Sequence, residues 1–113
     1  MKRVEAIIKP HKLSPVSLAL HRCKGVTGVT ASEVRGWGHG KLQAEERRAA
    51  ERVSDFEPHV RIEVICADDA APEITEAIRT AAHTGLAGDG IVIVSDVNDV
   101  VRISTGASGV DAL

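Results

Sequence analysis

Between Thr84 and Val94 the sequence reads Thr-Gly-Leu-Ala-Gly-Asp-Gly-Ile-Val-Ile-Val, so three glycines and an aspartate separate an alanine-rich run from a β-branched one. Gly85, Gly88 and Gly90 can take positive φ, which lets backbone N–H groups turn inward and form an anion-binding concavity. No Cβ then holds a phosphate away. A simpler reading of the same residues is a helix C-cap at Gly85 followed by a tight turn into a strand. Spacing alone does not separate the two, because short glycine motifs match often by chance. Asp89 and His83 have the right types for acid and base, but no nucleophile or orienting third group accompanies them, and catalysis is not expected. His83 is explained by a favourable place near a helix C-terminus, and His11 and His21 by the surface of the first helical region. His39 and His59 flank a long polar segment, yet two imidazoles without a third ligand make a weak metal site. No metal is expected.

These residues must be carried by one small domain, residues 1–113, large enough to bury roughly two-thirds of its unfolded surface. The net charge is −2 with both signs interspersed, which argues against nucleic acid as a partner. Trp37 and Phe56 are the only aromatic residues, so base-stacking platforms are not expected either. Cys23 and Cys66 fit neither a redox pair nor a zinc pattern and read as buried thiols in a reducing compartment. No apolar run approaches the roughly 20 residues that span a bilayer. The expectation is a cytoplasmic protein without direct membrane insertion.

Residues 3–8 alternate, with Val4, Ala6 and Ile8 on one face and Arg3, Glu5 and Ile7 on the other, as a strand requires. Ser14-Pro15 reads as an N-cap with a first-turn proline, and Val16, Ala19, Leu20 and Cys23 form a helical stripe closed by Gly25 and Gly28. Residues 29–36 read as a second strand. From Val60 the pattern repeats: Val60, Ile62, Val64 and Cys66 alternate, Asp68, Asp69 and Pro72 open a helix, and Ile74, Ala77, Ile78 and Ala81 form its stripe. The glycine stretch then leads to a strand over 91–94. Two strand–helix–strand halves give the α+β, ferredoxin-like βαββαβ plan, with both helices on one sheet face. The other face carries Ile7 and Ile65 among charges, which predicts that another subunit covers it. The tail is expected to add a short strand at 100–103.

Residues 37–57 belong to neither half, and a connection this long inside a compact domain is usually functional or disordered. Its charges are mixed, with Lys41, Arg47, Arg48 and Arg52 against Glu45, Glu46, Glu51, Asp55 and Glu57, while Leu42, Ala49, Val53 and Phe56 share one helical face. The segment is expected to meet a partner.

Over its full length the chain resembles the PII signal-transduction family. The resemblance is carried by Met1 to Pro10 with Lys12-Leu13, by Thr30 to Gly38, by Asp55-Phe56 with Pro58, by Thr84-Gly85 with Gly88-Asp89-Gly90, and by Val100 to Ile103 with Thr105-Gly106. It implies a ferredoxin-like homotrimer that binds adenine nucleotides (ADP, AMP or ATP) in clefts between subunits, with Mg²⁺ left open. Residues 37–57 would be its effector loop, the T-loop, acting on an enzyme, transporter or regulator through Lys41, Glu45, Arg47, Arg48 and Arg52. Residues 104–113 would be the tail. By the same resemblance Gly28 and Thr30 would line the adenine pocket with Glu63 and Ile65 nearby, and Gly38 and the backbone of Gly88, Asp89 and Gly90 would face the phosphates beside Arg102.

The departures from the family pattern are chemical. Ile91 stands where a lysine would meet the phosphates, and Ser104 and His39 stand where arginines would. Each lost cation removes a charge-assisted contact of about 1.5–3 kcal/mol, so affinity for a triphosphate should fall furthest. Gly40 replaces a glutamine that helps hold Mg²⁺ and 2-oxoglutarate, and His59 replaces the lysine that meets the 2-oxoglutarate carboxylate. Arg47 stands at the position of a modifiable tyrosine, and the chain has no tyrosine at all. The resemblance therefore implies a regulator in nitrogen metabolism, or alternatively an ADP/AMP sensor controlling inorganic-carbon or metal-ion transport without 2-oxoglutarate. An oligomer without a ligand is the structural alternative.

Overall fold

The computed structural model describes residues 1–38 and 56–113. Its main elements are β1 (Lys2–Ile8), α1 (Leu13–His21), β2 (Thr30–Gly36), β3 (Glu57–Cys66), α2 (Ala71–Ala82) and β4 (Gly90–Asp96). The strands form one antiparallel sheet in the order β2-β3-β1-β4, which is the expected βαββαβ plan with the two halves interleaved. The β2–β3 connection is the long one, and the helical stripe expected within it lies largely outside the described residues.

Alternation sets the core. Val4, Ala6 and Ile8 on β1 and Val60, Ile62, Val64 and Cys66 on β3 are buried under Val16 and Leu20 of α1 and Ile74 and Ile78 of α2. Each fully buried aliphatic side chain contributes about 1.5–3 kcal/mol, so this layer supplies most of the driving force. Ala82 rather than Ala81 is the buried end of the α2 stripe, while Ala77 and Ala81 pack at its margin. Both cysteines are free and buried, and burial pushes each thiol above its usual pKa. The opposite sheet face is open within one chain: Ile91 and Ile93 are exposed there, and Ile7 and Ile65 are half-buried.

Three local expectations are corrected. Ser14 is not an N-cap, because a 3-10 turn at Pro10–Lys12 starts the helical path earlier; Lys12 occupies the cap position and makes no side-chain bond there. Gly25 serves contact rather than capping, since a Cβ there would lie 2.5 Å from the Cβ of Ala70. The tail forms no strand at 100–103. A single bridge joins Val101 to Ser108, and the Asp99 carboxylate accepts the N–H groups of Val100 and Gly109, 2.9 and 3.1 Å away, folding the segment on itself.

Gly90 tests how tightly β4 is bound to β1. It has φ +104°, and a Cβ would stand 1.7 Å from the carbonyl oxygen of Ile7. Gly106 also has positive φ, at +74°, but faces open space. Gly90→Ala should cost about 2–4 kcal/mol of unfolding free energy in urea melts, from strained backbone plus displaced strand. Gly106→Ala should cost only about 1 kcal/mol. Equal losses would mean that the Gly90 contact relaxes freely.

Candidate functional site

The sheet end from which residues 37–57 depart opens into a cavity of about 630 Å³. Four segments meet there: Ile7 to His11 leaving β1, Gly36 to Gly38 leaving β2, Glu57 to His59 entering β3, and the loop from Leu86 into Ile91. Pro10 turns the chain after β1, which brings Lys9 and His11 to the rim. Gly85, Gly88 and Gly90 all have positive φ (81°, 84° and 104°), which a tight turn and an anion cradle both require. The helix-cap reading is not met, because α2 ends at Ala82 with an extended His83 in the cap position.

The glycine loop is held from inside. The Thr84 N–H donates to Asp89 Oδ2 at 2.8 Å, and the Thr84 hydroxyl donates to Asp89 Oδ1. That hydroxyl in turn accepts from the Leu86 N–H and from the Lys9 ammonium, both at 3.1 Å. Lys9 Nζ also lies 3.2 Å from Asp89 Oδ1, and His83 Nδ1 lies 3.3 Å from Asp89 Oδ2. The hydroxyl and N–H of Thr84, with Lys9 adding to them, hold the Asp89 carboxyl well below the usual carboxylate range. Asp89 is thus a strut whose charge is spent within the loop. Lys9 and Thr84 were not expected as site residues. Their signal is spatial, since 75 residues separate them in the chain.

The remaining expected residues fall in separate places. Gly38, Gly88 and Gly90 line the cavity with Trp37, His59 and Ile91. Thr30, at the start of the edge strand β2, and Glu63 are cross-strand partners on the open sheet face, and Ile65 lies opposite Arg3, whose guanidinium is 3.7 Å from Glu63. Gly28 precedes β2, with open space where its Cβ would be. Arg102 and Ser104 line another, shallower recess of about 520 Å³ with Val100, Val101, Ile103 and Ala112. That recess is shaped by a turn in which the Arg102 N–H donates to the Ala107 carbonyl and the Gly106 N–H to the Arg102 carbonyl, both at 2.8 Å. One chain therefore does not bring Arg102 to the glycine loop. His39, Lys41, Glu45, Arg47, Arg48 and Arg52 lie outside the described residues. Among the described residues no cluster of three or more His, Cys, Asp or Glu could hold a metal. No described helix is long and apolar enough to cross a membrane.

Residues 1–107 match the family model described as nitrogen regulatory protein P-II. Over all 113 residues of both chains, the sequence is 50% identical to the nitrogen regulatory protein P-II of Rhizobium meliloti. The proteins of that name from Mesorhizobium japonicum and Azospirillum brasilense are likewise 50% identical over the whole of both chains.

The strut has a pH signature. A carboxyl whose pKa is lowered on folding contributes stability that is complete above its unfolded pKa, about 4, and is lost as the pH falls below it. Asp89→Asn should be less stable than wild type by a constant margin from about pH 7 to 5, and the margin should close toward pH 2.5. Urea melts across that range measure it, and a margin unchanged at pH 2.5 would show that the charge on Asp89 does not hold the loop.

Proposed function

The chain belongs to the nitrogen regulatory P-II family, and on that footing we propose a signal transducer whose glycine-loop cavity takes the phosphates of an adenine nucleotide. Proteins of this family are signalling proteins rather than enzymes, they trimerise, and they regulate partner proteins. In our reading this chain forms a homotrimer with the nucleotide between subunits. The observation that carries it is the separation of Arg102 and Ser104 from the glycine loop within one chain. A neighbouring subunit laid on the open sheet face would bring its Arg102 toward the cavity of the first. The exposed Ile91, Ile93, Val101 and Ile103 are apolar surface that such a contact would bury. Thr30, Glu63 and Ile65 occupy the same open face, where the nucleoside would lie with Gly28 nearby. Gly38 and the amides of Gly88, Asp89 and Gly90 would take the phosphates.

The cavity opens beside the departure of residues 37–57, so occupancy there would bias the effector segment that carries Lys41, Glu45, Arg47, Arg48 and Arg52. That is a direct route from nucleotide to partner. The charge count favours ADP or AMP over ATP. Of the described residues that line the cavity, Lys9 is the one lysine or arginine, and it is already paired with Asp89. A γ-phosphate would meet Ile91, Ser104 and His39 at positions where the family pattern has cations. The same substitutions, with Gly40 and His59, leave little for 2-oxoglutarate to bind.

Calorimetric titration with ATP, ADP and AMP tests the reading, with Ile91→Lys as the informative variant. Wild type should bind ADP or AMP at least as tightly as Mg-ATP. Ile91→Lys should tighten ATP by roughly 1.5–3 kcal/mol, about ten- to a hundredfold, and AMP much less. Wild type that prefers Mg-ATP tenfold or more would refute the charge count, and no binding of any nucleotide would refute the site.

A further inference from the structure

Thr84 opens the glycine loop, and its hydroxyl is used to capacity. The O–H donates to Asp89 Oδ1, and the oxygen accepts from the Leu86 N–H and from the Lys9 ammonium, both at 3.1 Å. A hydroxyl has one donor and two acceptor sites, and here all three are filled. We propose that Thr84 is a positioning residue for the phosphate site, whose hydroxyl sets the glycine loop in its binding form without touching the ligand. The proposal rests on the reading of this cavity as a phosphate site, and concerns what keeps its backbone in place.

The loop needs such a device. Gly85, Gly88 and Gly90 hold φ at 81°, 84° and 104°, and glycine loses more conformational freedom on ordering than any other residue. Amides carried on such a chain are aimed at a ligand only at a cost in binding energy, unless they are ordered beforehand. The far end of the loop is fixed where Gly90 passes against the Ile7 carbonyl. At the near end α2 finishes at Ala82 with His83 extended, and the Thr84 hydroxyl comes next. It joins residue 84 to Leu86 and Asp89 within the loop and to Lys9 across 75 residues of chain. The Lys9 stem then flanks the middle of the loop, its Cε 3.9 Å from the place that a Gly88 Cβ would take. Gly88 and Gly90 line the cavity, whereas Thr84 and Asp89 are not among its described lining residues. The hydroxyl therefore acts through the backbone that it holds. Its removal does not strip Asp89 of partners, because the Thr84 N–H and the Lys9 ammonium still stand 2.8 and 3.2 Å from that carboxylate.

The test is calorimetry on the whole protein with ADP and with inorganic pyrophosphate. It compares wild type with Thr84→Ser, which keeps the hydroxyl, and with Thr84→Val, which keeps the shape and loses it. Thr84→Ser should stay within about threefold of wild type for both ligands, and Thr84→Val should bind both at least about tenfold more weakly. Amide hydrogen exchange without ligand gives a readout that a role confined to global stability would not move. The Leu86 N–H should exchange faster in Thr84→Val, while the amides of β1 and β3 stay protected as in wild type. The proposal is overturned if Thr84→Val binds like wild type, if Thr84→Ser loses as much as Thr84→Val, or if Thr84→Val loses affinity with Leu86 exchange unchanged. Should Thr84→Val not fold, Thr84→Ala is measured in its place with the same expectations, and failure of both to fold would overturn the proposal by making Thr84 a residue of the fold itself. In each of those cases the cavity remains a phosphate site. Wild type that binds neither ligand would overturn that reading as well.

Discussion

The pairing of β4 with β1 requires a residue without a Cβ at Gly90, where the chain leaves the glycine loop and passes against the carbonyl of Ile7. Everything near the cavity inherits its position from this contact. It fixes where Gly88 and Asp89 stand relative to Lys9, and places Ile91 directly opposite Ile7 on the open face of the sheet. Because β1 also pairs along its whole length with β3, the same strand sets His59 and Glu57 against the glycine loop from the other side. The walls of the cavity are consequences of sheet register, and the register is enforced by the buried alternation of Val4, Ala6 and Ile8 against Val60, Ile62 and Val64.

On this frame the electrostatics are sparing. Asp89 could have been a negative charge facing an anion site, but its oxygens are taken by the hydroxyl and N–H of Thr84, with Lys9 and His83 beside them. The loop keeps its shape without leaving the carboxylate unpaired. The cost is that Lys9 is bound in the same network, and its charge is only partly available to a phosphate. The apolar Ile91 and the side chains of His11 and His59 also line the cavity. The phosphate site we propose would therefore hold an anion mainly through backbone amides of the glycine loop, with little help from fixed side-chain cations.

The fold was largely legible because it rests on periodicity. Period-two burial on β1 and β3, and the stripes through Val16 and Leu20 and through Ile74 and Ile78, each stand as read. What failed was local. Ser14-Pro15 has the chemistry of a helix start, but Pro10 four residues earlier had already turned the chain into a 3-10 path. Val100 to Ile103 has strand-forming residues, yet Asp99 captures two amides and Gly106 and Gly109 adopt positive φ, so a turn wins. In the site, the glycines were readable because their backbone requirement is written in their type. Lys9 and Thr84 were not, because their partnership exists only after β1 and the loop meet. The place of Arg102 was hidden for a different reason, since a single chain does not contain the juxtaposition its proposed role requires.

The central claim is that glycine loop and Arg102 come from different subunits of a trimer. It is tested most directly by mixing two chains that each carry one defect in the site. Gly38 lines the cavity with open space about it, so Gly38→Glu should place a repelling carboxylate there without disturbing the fold, and Arg102→Glu should do the same from the other recess. Either variant alone should fail to bind ADP. Trimers assembled from an equal mixture should regain wild-type affinity at about a quarter of their sites, those that take Gly38 from one chain and Arg102 from the other. A mixture that regains no binding, or a wild-type protein that is monomeric by light scattering under the same conditions, would contradict the shared site.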